Sequence, residues 1–462
     1  MADQEYEFKK IQIGADRDFV PGPLGGAKPM DLKAITGEVS IFEDISKGYL
    51  TAKIAIIDDA AIVSEISEMQ GTETLLIEIA GAEGNNSITF RLHMKIVSIV
   101  SQTKVNDKAS AFVINAISDH GYRNSLSKLS KSYTGHLEDT VEEILESHLE
   151  VKVKRDSKYI DSGEKSIQGD VKVLIPYISP LESMQWLLER STSIEGSPYF
   201  GWASMWDQEN VEGQIRLGSF KTMVREGITA SNKNRTFKYS VATTMVNPTA
   251  KDHRFSIKSF GQDNRENTLG MVNNGTLGSR IVNLDTYTSQ KMDRHFDLGK
   301  YIESLKESVS NAPSLLRTAY DEKHKVKVEG ENKIASEHDA RYTNMITSYG
   351  TYGWQNGYHD VTDPALLMNK IRKSATMSML SKNILDVTVP GYNLISEKIS
   401  VGDVLLFIFD SQIVNDVGPE ELKKDLRTSG FYLILRSRHI YTSTTHNTIL
   451  SCAKVADLPD GV

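Results

Sequence analysis

The sequence predicts an α+β protein that is mainly β: two similar antiparallel β-barrels, an α+β domain between them, and a partly helical insertion inside the second barrel. Three observations carry this expectation. Short strand-like segments crowd residues 35–118 and return after residue 383. Helix signals enter only between about 134 and 234 and again in a polar stretch near 266–383. The order of segments around residues 71–117 also recurs around residues 401–454. Several short strands parted by turn residues at this spacing form a small barrel or sandwich.

The first barrel is placed at 1–118. Its strand segments lie at Ile41, Leu50–Ile57, Glu73–Ala80, Ile88–Val100 and Ala109–Ser118, parted by Gly71, the loop Gly81–Asn86 and the turn Lys104–Asp107. The α+β domain, 119–234, contains a helix with Val141, Ile144, Leu145 and Leu149 on one face. A second helix is announced by Ser179, Pro180 and Glu182. Serine is an N-cap, proline at the first helical position gives up an N–H that has no partner there, and the glutamate completes a capping box. This helix turns Leu181, Met184, Leu187 and Leu188 inward, and Gly201–Met205 and Gln214–Phe220 follow as strands.

Arg235–Ser240 and His253–Phe260 read as strands, so 235–265 is assigned as the first part of the second barrel. Residues 266–383 form the polar, partly helical insertion, with turn-forming Asn273, Asn274, Gly275 and Gly278 and helices near 297–310 and 364–381. Apolar residues are too sparse there for an independent core, so packing on other domains or subunits is expected, with disorder the alternative for 320–335. Residues 384–462 complete the second barrel and the C-terminal tail, through strands at Leu385–Val389, Val401–Phe409, Gly430–Tyr441 and Asn447–Ala456. Asp410–Arg427 is a charged loop with a helical turn at Pro419–Leu426, and is either a contact loop or a plain solvated one.

The recurrence sets Gly71–Ile79, Leu92–Ile99 and Ala111–Ile117 beside Val401–Phe409, Leu433–Ile440 and Thr448–Lys454. Each triplet is a short apolar strand, a long basic strand and a final strand. One barrel type used twice explains this, against the alternative that β-rich segments resemble one another by chance.

Composition narrows the function. The chain has 462 residues, 51.5 kDa, 53 basic and 61 acidic groups, a net charge of −8 and a pI near 5.8. Its length suits three or four compact units. The negative balance argues against a dedicated nucleic-acid binder, which needs Lys and Arg to neutralise phosphates, but leaves room for transient contact with passing DNA. The longest apolar run, Val404–Phe409, is far short of a membrane span, and the polar start Met1–Lys10 reads as no signal peptide. A single cysteine, Cys452, rules out an intramolecular disulfide or a Cys-based zinc cluster and suits a reducing cytoplasm.

Catalytic and cofactor motifs are missing. Neither Gly22–Gly26 nor Gly275–Ser279 has the spacing of a phosphate loop. The histidines are scattered, and His439 and His446 flank a turn, reading as surface or cross-strand residues rather than metal ligands. Cys452 sits in an apolar strand and reads as an inert buried thiol. The carboxylate pairs Asp58 and Asp59, Glu142 and Glu143, and Glu420 and Glu421 could in principle serve glycoside hydrolysis. Adjacent residues point to different faces, however, so turn or solvated-face charge is the preferred reading. Trp186, Trp202, Trp206 and Trp354 could line a sugar site, but core packing fits their local patterns better. No catalytic, metal or cofactor-binding residue is therefore assigned.

In this order the segments resemble a known family. Ile178–Arg190 with Gly196–Trp202, Gly275–Arg280 with Leu284 and Asp285, and Val401–Leu406 with Gly430–His439 and Thr448–Leu450 are similar to the central baseplate hub protein of contractile-tailed bacteriophages, related to the hub part of type VI secretion spike proteins and to late-control-D tail proteins. The resemblance implies a non-enzymatic homotrimer whose two barrels per subunit form a pseudo-sixfold ring around a DNA exit channel. Its implied partners are a separate central spike protein, tail tube or tube-initiator proteins and surrounding baseplate wedge proteins. It implies no cofactor, no membrane insertion, assembly in the host bacterial cytoplasm and a final place in the virion tail baseplate. The alternative is a tail-associated cell-wall hydrolase or carbohydrate-binding tail protein.

Overall fold

In the computed structural model the described residues are 6–14, 29–58, 73–81, 89–104, 109–155, 171–194, 196–207, 214–230, 235–239, 255–264, 267–286, 289, 291–306, 325–347, 364–410, 424–443 and 445–458. The first strand set comprises β1 (Tyr6–Gly14), β2 (Met30–Asp31), β3 (Thr36–Asp44), β4 (Thr51–Asp58), β5 (Thr74–Gly81), β6 (Thr89–Lys104) and β7 (Ser110–Ser118). Side-chain alternation sends Ala52, Ile54 and Ile56 of β4 inward and leaves Lys53 and Ile57 exposed, as a half-buried strand requires. The strands pair antiparallel in the order β1-β5-β6-β7-β4-β3 and curl round a core that includes Ile11, Ile41, Ile54, Ile77, Phe90 and Phe112.

An α+β unit follows: α1 (Asp119–Leu126), β8 (Ser132–Gly135), α2 (Leu137–Leu149), β9 (Lys152–Lys154), β10 (Val171–Leu174), α3 (Pro180–Leu188), β11 (Tyr199–Ala203), β12 (Gln214–Ser219) and α4 (Phe220–Thr229). The capping box forms, with the Ser179 N–H and hydroxyl donating to Glu182 at 3.0 and 2.9 Å. The expected strand through Phe220 instead stops at Ser219, whose hydroxyl accepts the Thr222 N–H and caps α4. That helix is hard to read in the sequence because it is short and carries Thr222, Gly227 and Thr229, all weak helix formers.

The second strand set comprises β13 (Thr236–Tyr239) and β14 (Ser259–Asn264), and resumes far along the chain. Between them and the rest lie α5 (Thr268–Asn274), β15 (Gly278–Asp285), β16 (Lys291–Asp297), α6 (Leu298–Lys306), β17 (Lys325–Val328), β18 (Glu331–Ile334), β19 (Arg341–Thr347) and α7 (Pro364–Lys382). The set then continues with β20 (Asn383–Pro390), the short helix α8 (Tyr392–Ser396), β21 (Val404–Phe409), β22 (Gly430–Thr442) and β23 (His446–Asp457). Its order is β13-β21-β22-β23-β20-β14. Position for position this is the path of the first set, antiparallel throughout except that β13 runs parallel to β21 where β1 runs antiparallel to β5.

The likeness extends to an irregularity. The last β5–β6 pair is Thr74 with Lys95, and β6 then bulges between Ile96 and Ser98. The last β21–β22 pair is Val404 with Leu433, and β22 bulges between Ile434 and Arg436. A bulge re-aims the strand beyond it, and both long strands are re-aimed at the same step.

Two sequence expectations change here. The strand expected at His253–Phe260 begins only at Ser259. The insertion, expected to be partly helical, also contains a three-stranded sheet β16-β15-β19 and the hairpin β17–β18, which falls where disorder was the alternative. The outer strands β16 and β19 and the hairpin β17–β18 are polar and mostly exposed, with only Phe296 of β16 buried, so they lack the apolar alternation that would have announced them, whereas the central β15 is buried along most of its length. Its apolar residues, among them Ile281, Phe296, Leu298, Met368 and Met379, share one continuous core with β20–β23, so it packs on its neighbours as its composition demanded.

Candidate assembly interface

The two strand sets are joined edge to edge. Beyond its bulge, β22 leaves β21 and pairs antiparallel with β3, from Arg436 opposite Asp44 to Thr442 opposite Glu38. At the exposed margin Arg436 meets Asp44 at 3.0 Å and Arg438 meets Glu38 at 3.2 Å. Screened pairs of this kind add little stability but favour the register.

The interior of the seam is polar and closely matched. Glu43 is buried on β3, and its carboxylate accepts hydrogen bonds from Ser437 at 2.6 Å, the Met205 N–H at 2.7 Å and Ser400 at 3.0 Å, with His439 at 3.4 Å. Ser204 in turn donates to Ser400 at 2.9 Å. Burial pushes the Glu43 carboxyl up, but the His439 hydrogen bond and charge, with Ser437 and Met205, outweigh it and hold the group below the usual carboxylate range. One side chain thereby ties together both strand sets and the segment after β11. Beside it the Tyr441 and His446 rings stack at 4.0 Å, and burial with the nearby His439 and Lys258 charges holds His446 well below the ordinary imidazole value, so it is neutral. Tyr441 enters the core of the first set although it belongs to β22 of the second. Gly391 passes so close that a Cβ there would fall 1.9 Å from the His446 ring. Gly402, at φ +87°, similarly leaves room for the buried Trp202 indole, 2.4 Å from where a Cβ would sit.

A cavity of about 500 Å³ opens between the α+β unit and the insertion, with Ile194 and Met368 on its apolar side and Arg294, Lys300 and Arg372 on its cationic side. Asp297, also on its wall, caps α6 through the Gly299 N–H at 2.8 Å. No sequence motif pointed to this cavity, because its residues come from three separate segments of the chain, 194–196, 294–304 and 368–372.

The sequence candidates do not converge on a site. Asp58 is buried at the end of β4, and Asp59 lies outside the described residues. Glu142 pairs with Arg155 at 2.8 Å and Glu143 with Lys131 at 3.3 Å on the solvated side of α2. Glu420, Glu421, Trp354 and Gly22–Gly26 lie outside the described residues, as does most of Asp410–Arg427. Trp202 and Trp206 are core residues, and half-buried Trp186 is covered by the Arg190 guanidinium at 4.2 Å. Cys452 is buried, and burial raises its thiol well above the ordinary value. His439 and His446 are cross-strand residues as expected, but both are buried, so the surface alternative is set aside. Among the described residues no cluster of three His, Cys, Asp or Glu side chains could hold a metal ion, and no helix is long and apolar enough to cross a membrane.

Two strand sets of one order, an α+β unit and an insertion define a mainly β α+β fold. The chain is similar to the tail protein from Neisseria meningitidis MC58, with a TM-score of 0.50, 10% identity, and coverage of 97% of this chain and 96% of that one. It also matches the 43 kDa tail protein of prophage MuSo2 from Shewanella oneidensis, at TM-score 0.48, 9% identity and coverage of 96% and 98%. A type VI secretion system component from E. coli matches at TM-score 0.39 and 9% identity, over 98% of this chain and 77% of that one. Fold likeness is drawn from the Neisseria protein alone. No protein-family model matches the chain, and no curated protein matches it by sequence.

Proposed function

We propose that this protein is the structural hub of a phage contractile-tail baseplate. Three copies form a pseudo-sixfold ring that joins the sixfold tail tube to a threefold central spike and encloses the channel through which DNA leaves. The carrying observation is the repeated strand path: two sets of one order, joined through β22 and β3, supply two near-equivalent ring units per chain. In this reading 1–118 is one barrel, 235–265 with 384–462 the other, 119–234 the α+β domain and 266–383 an insertion on the ring. Spike, tube and wedge proteins are the partners, and the function is carried by shape rather than by catalysis. A net charge of −8 suits a lumen that passes DNA without gripping it.

Light scattering on the purified protein at low and high salt tests this. The expected mass is about three times that of the single chain, with no clearing of a peptidoglycan gel. A stable monomer at all concentrations, or clearing that survives further purification, overturns the reading in favour of a tail hydrolase.

A further inference from the structure

The seam inside the chain has a counterpart that the chain cannot complete alone. Corresponding strands of the two sets are aligned by their bulges, so that Ile96 matches Ile434, Ser98 matches Arg436 and Ile99 matches Ser437. Following the ladders outward through β7 and β23, then β4 and β20, makes Ile41 the equivalent of Gln262 and Glu43 that of Asn264. In the second set, the end of β22 beyond the bulge pairs with β3. In the first set, the equivalent stretch of β6 pairs with β7 on one side, and among the described residues no strand lies on its other side beyond Ile96. The equivalent of β3 is β14, which among the described residues has only β20 as a ladder neighbour. Among the described residues each chain therefore carries one half-seam of each kind, one on β14 and one on the re-aimed end of β6.

We propose that β6 of one copy pairs antiparallel with β14 of the next copy in the register of the β22–β3 seam, with Ile99 opposite Asn264. The occupant is a second copy of this chain, because the complementary edge is already present on the same molecule and its pairing rule is displayed within it. Val97, Ile99 and Val100 are 48%, 40% and 41% exposed on the re-aimed end of β6, and Phe260 of β14 is 38% exposed. An open apolar edge of this kind recruits a strand. A contact between two different edges is heterologous, and repeated head to tail it closes into a ring when the rotation between copies allows closure. This pairing rests on the ring reading and adds its residues and register.

The test is an Ile99→Cys and Asn264→Cys double variant, oxidised and run on a non-reducing gel, with Ile99→Cys and Ser259→Cys as the off-register control. Directly opposed strand residues fall within disulfide reach, and buried Cys452 stays out of the reaction. The expected result is linked dimers and trimers for the first variant, and at least tenfold less linkage for the control. Amide exchange on the unmodified protein gives an independent readout: protection at residues 99–100 and 263–264 increases with protein concentration. Trimers by light scattering without the Ile99–Asn264 link or the added protection overturn the pairing and leave the ring reading standing. Equal linkage in the control overturns the register, and a monomer at all concentrations overturns both readings.

Discussion

The two strand sets share one path through space but use it differently. The first encloses a core largely its own, and its β3 and β4 are joined by the short turn 45–50. The second has the whole insertion where that turn would be, between β14 and β20, and shares its core with the insertion and with Phe200, Trp202 and Met223 of the α+β unit. The order and the bulge of the long strand are held in common, while turn length and outer packing differ. This contrast shows which features the architecture needs. Strand order and the bulge set where one unit hands over to the next, whereas a turn can lengthen greatly because loop-closure entropy grows only slowly with length. It also gives two versions of one junction: the β22–β3 seam, completed within the chain, and the equivalent edges of β6 and β14, which among the described residues pair on one side only.

Breaking the completed seam carries the largest expected effect. Glu43→Ala strands the donors of Ser437, Met205 and Ser400 in a buried site and removes the partner of His439. A loss of about 3–5 kcal/mol is expected in urea unfolding. Asn264→Ala, at the equivalent position of the second set, is expected to change the stability of the isolated chain by less than about 1 kcal/mol. Equal losses would mean that the edges are not equivalents in different states of completion. Core deletions sharpen the comparison next. Ile114→Ala and Leu450→Ala remove matched buried residues of β7 and β23, and each should cost about 2–5 kcal/mol. The Leu450 loss should also loosen the insertion in amide exchange, because that core is shared.

Gly402→Ala follows, at about 1–2 kcal/mol for the left-handed backbone before the Trp202 clash is counted. It should lower the melting temperature and shift Trp fluorescence. Acid then acts on buried groups of the α+β unit and of both strand sets in the same direction. Burial, partly offset by the hydrogen bond to the Gly48 carbonyl, holds His120 down at about 4 against an ordinary 6.5. The unfolded chain thus binds more protons between those values, so the stabilisation is full above pH 6.5 and is lost as pH falls through 4. His446 adds to this loss, and Glu43 adds more as its carboxylate protonates below the usual range. Melting temperatures from pH 7.5 to 4 should fall, less steeply in His120→Asn. The smallest effect is at Cys452, whose buried thiol should react with a thiol reagent only after unfolding.

Much of the fold was legible because it rests on local patterns. The alternation in Leu50–Ile57, the capping signals at Ser179 and Glu182 and the apolar run Val404–Phe409 each specify an element through side-chain period or backbone bonding over a few residues. The recurrence of 71–117 in 401–454 was visible as an order of three strands, because a barrel strand must repeat its apolar spacing, but the ladders shift the long strand by three residues, setting Lys95 rather than Leu92 against Leu433. Other elements were hidden. The insertion strands other than β15 are exposed over most of their length, so solvent rather than a core chose their side chains and left little period to read. Helix α4 was masked by weak helix formers whose apolar face is supported by packing against β21, with Gly227 allowing the close approach to Val404.

By itself, then, the sequence determined the strand-rich class, the capped helix, the duplicated triplet and the inert thiol, because all of these follow from the chain's nearest neighbours and its composition. Only the tertiary structure decided that β22 leaves its own set to pair with β3, that Glu43 gathers donors from Ser400 and Ser437, more than 300 residues along the chain, and that among the described residues β14 pairs with β20 alone. Those outcomes depend on which backbone edges remain once each core has closed, and an edge has no side-chain signature of its own.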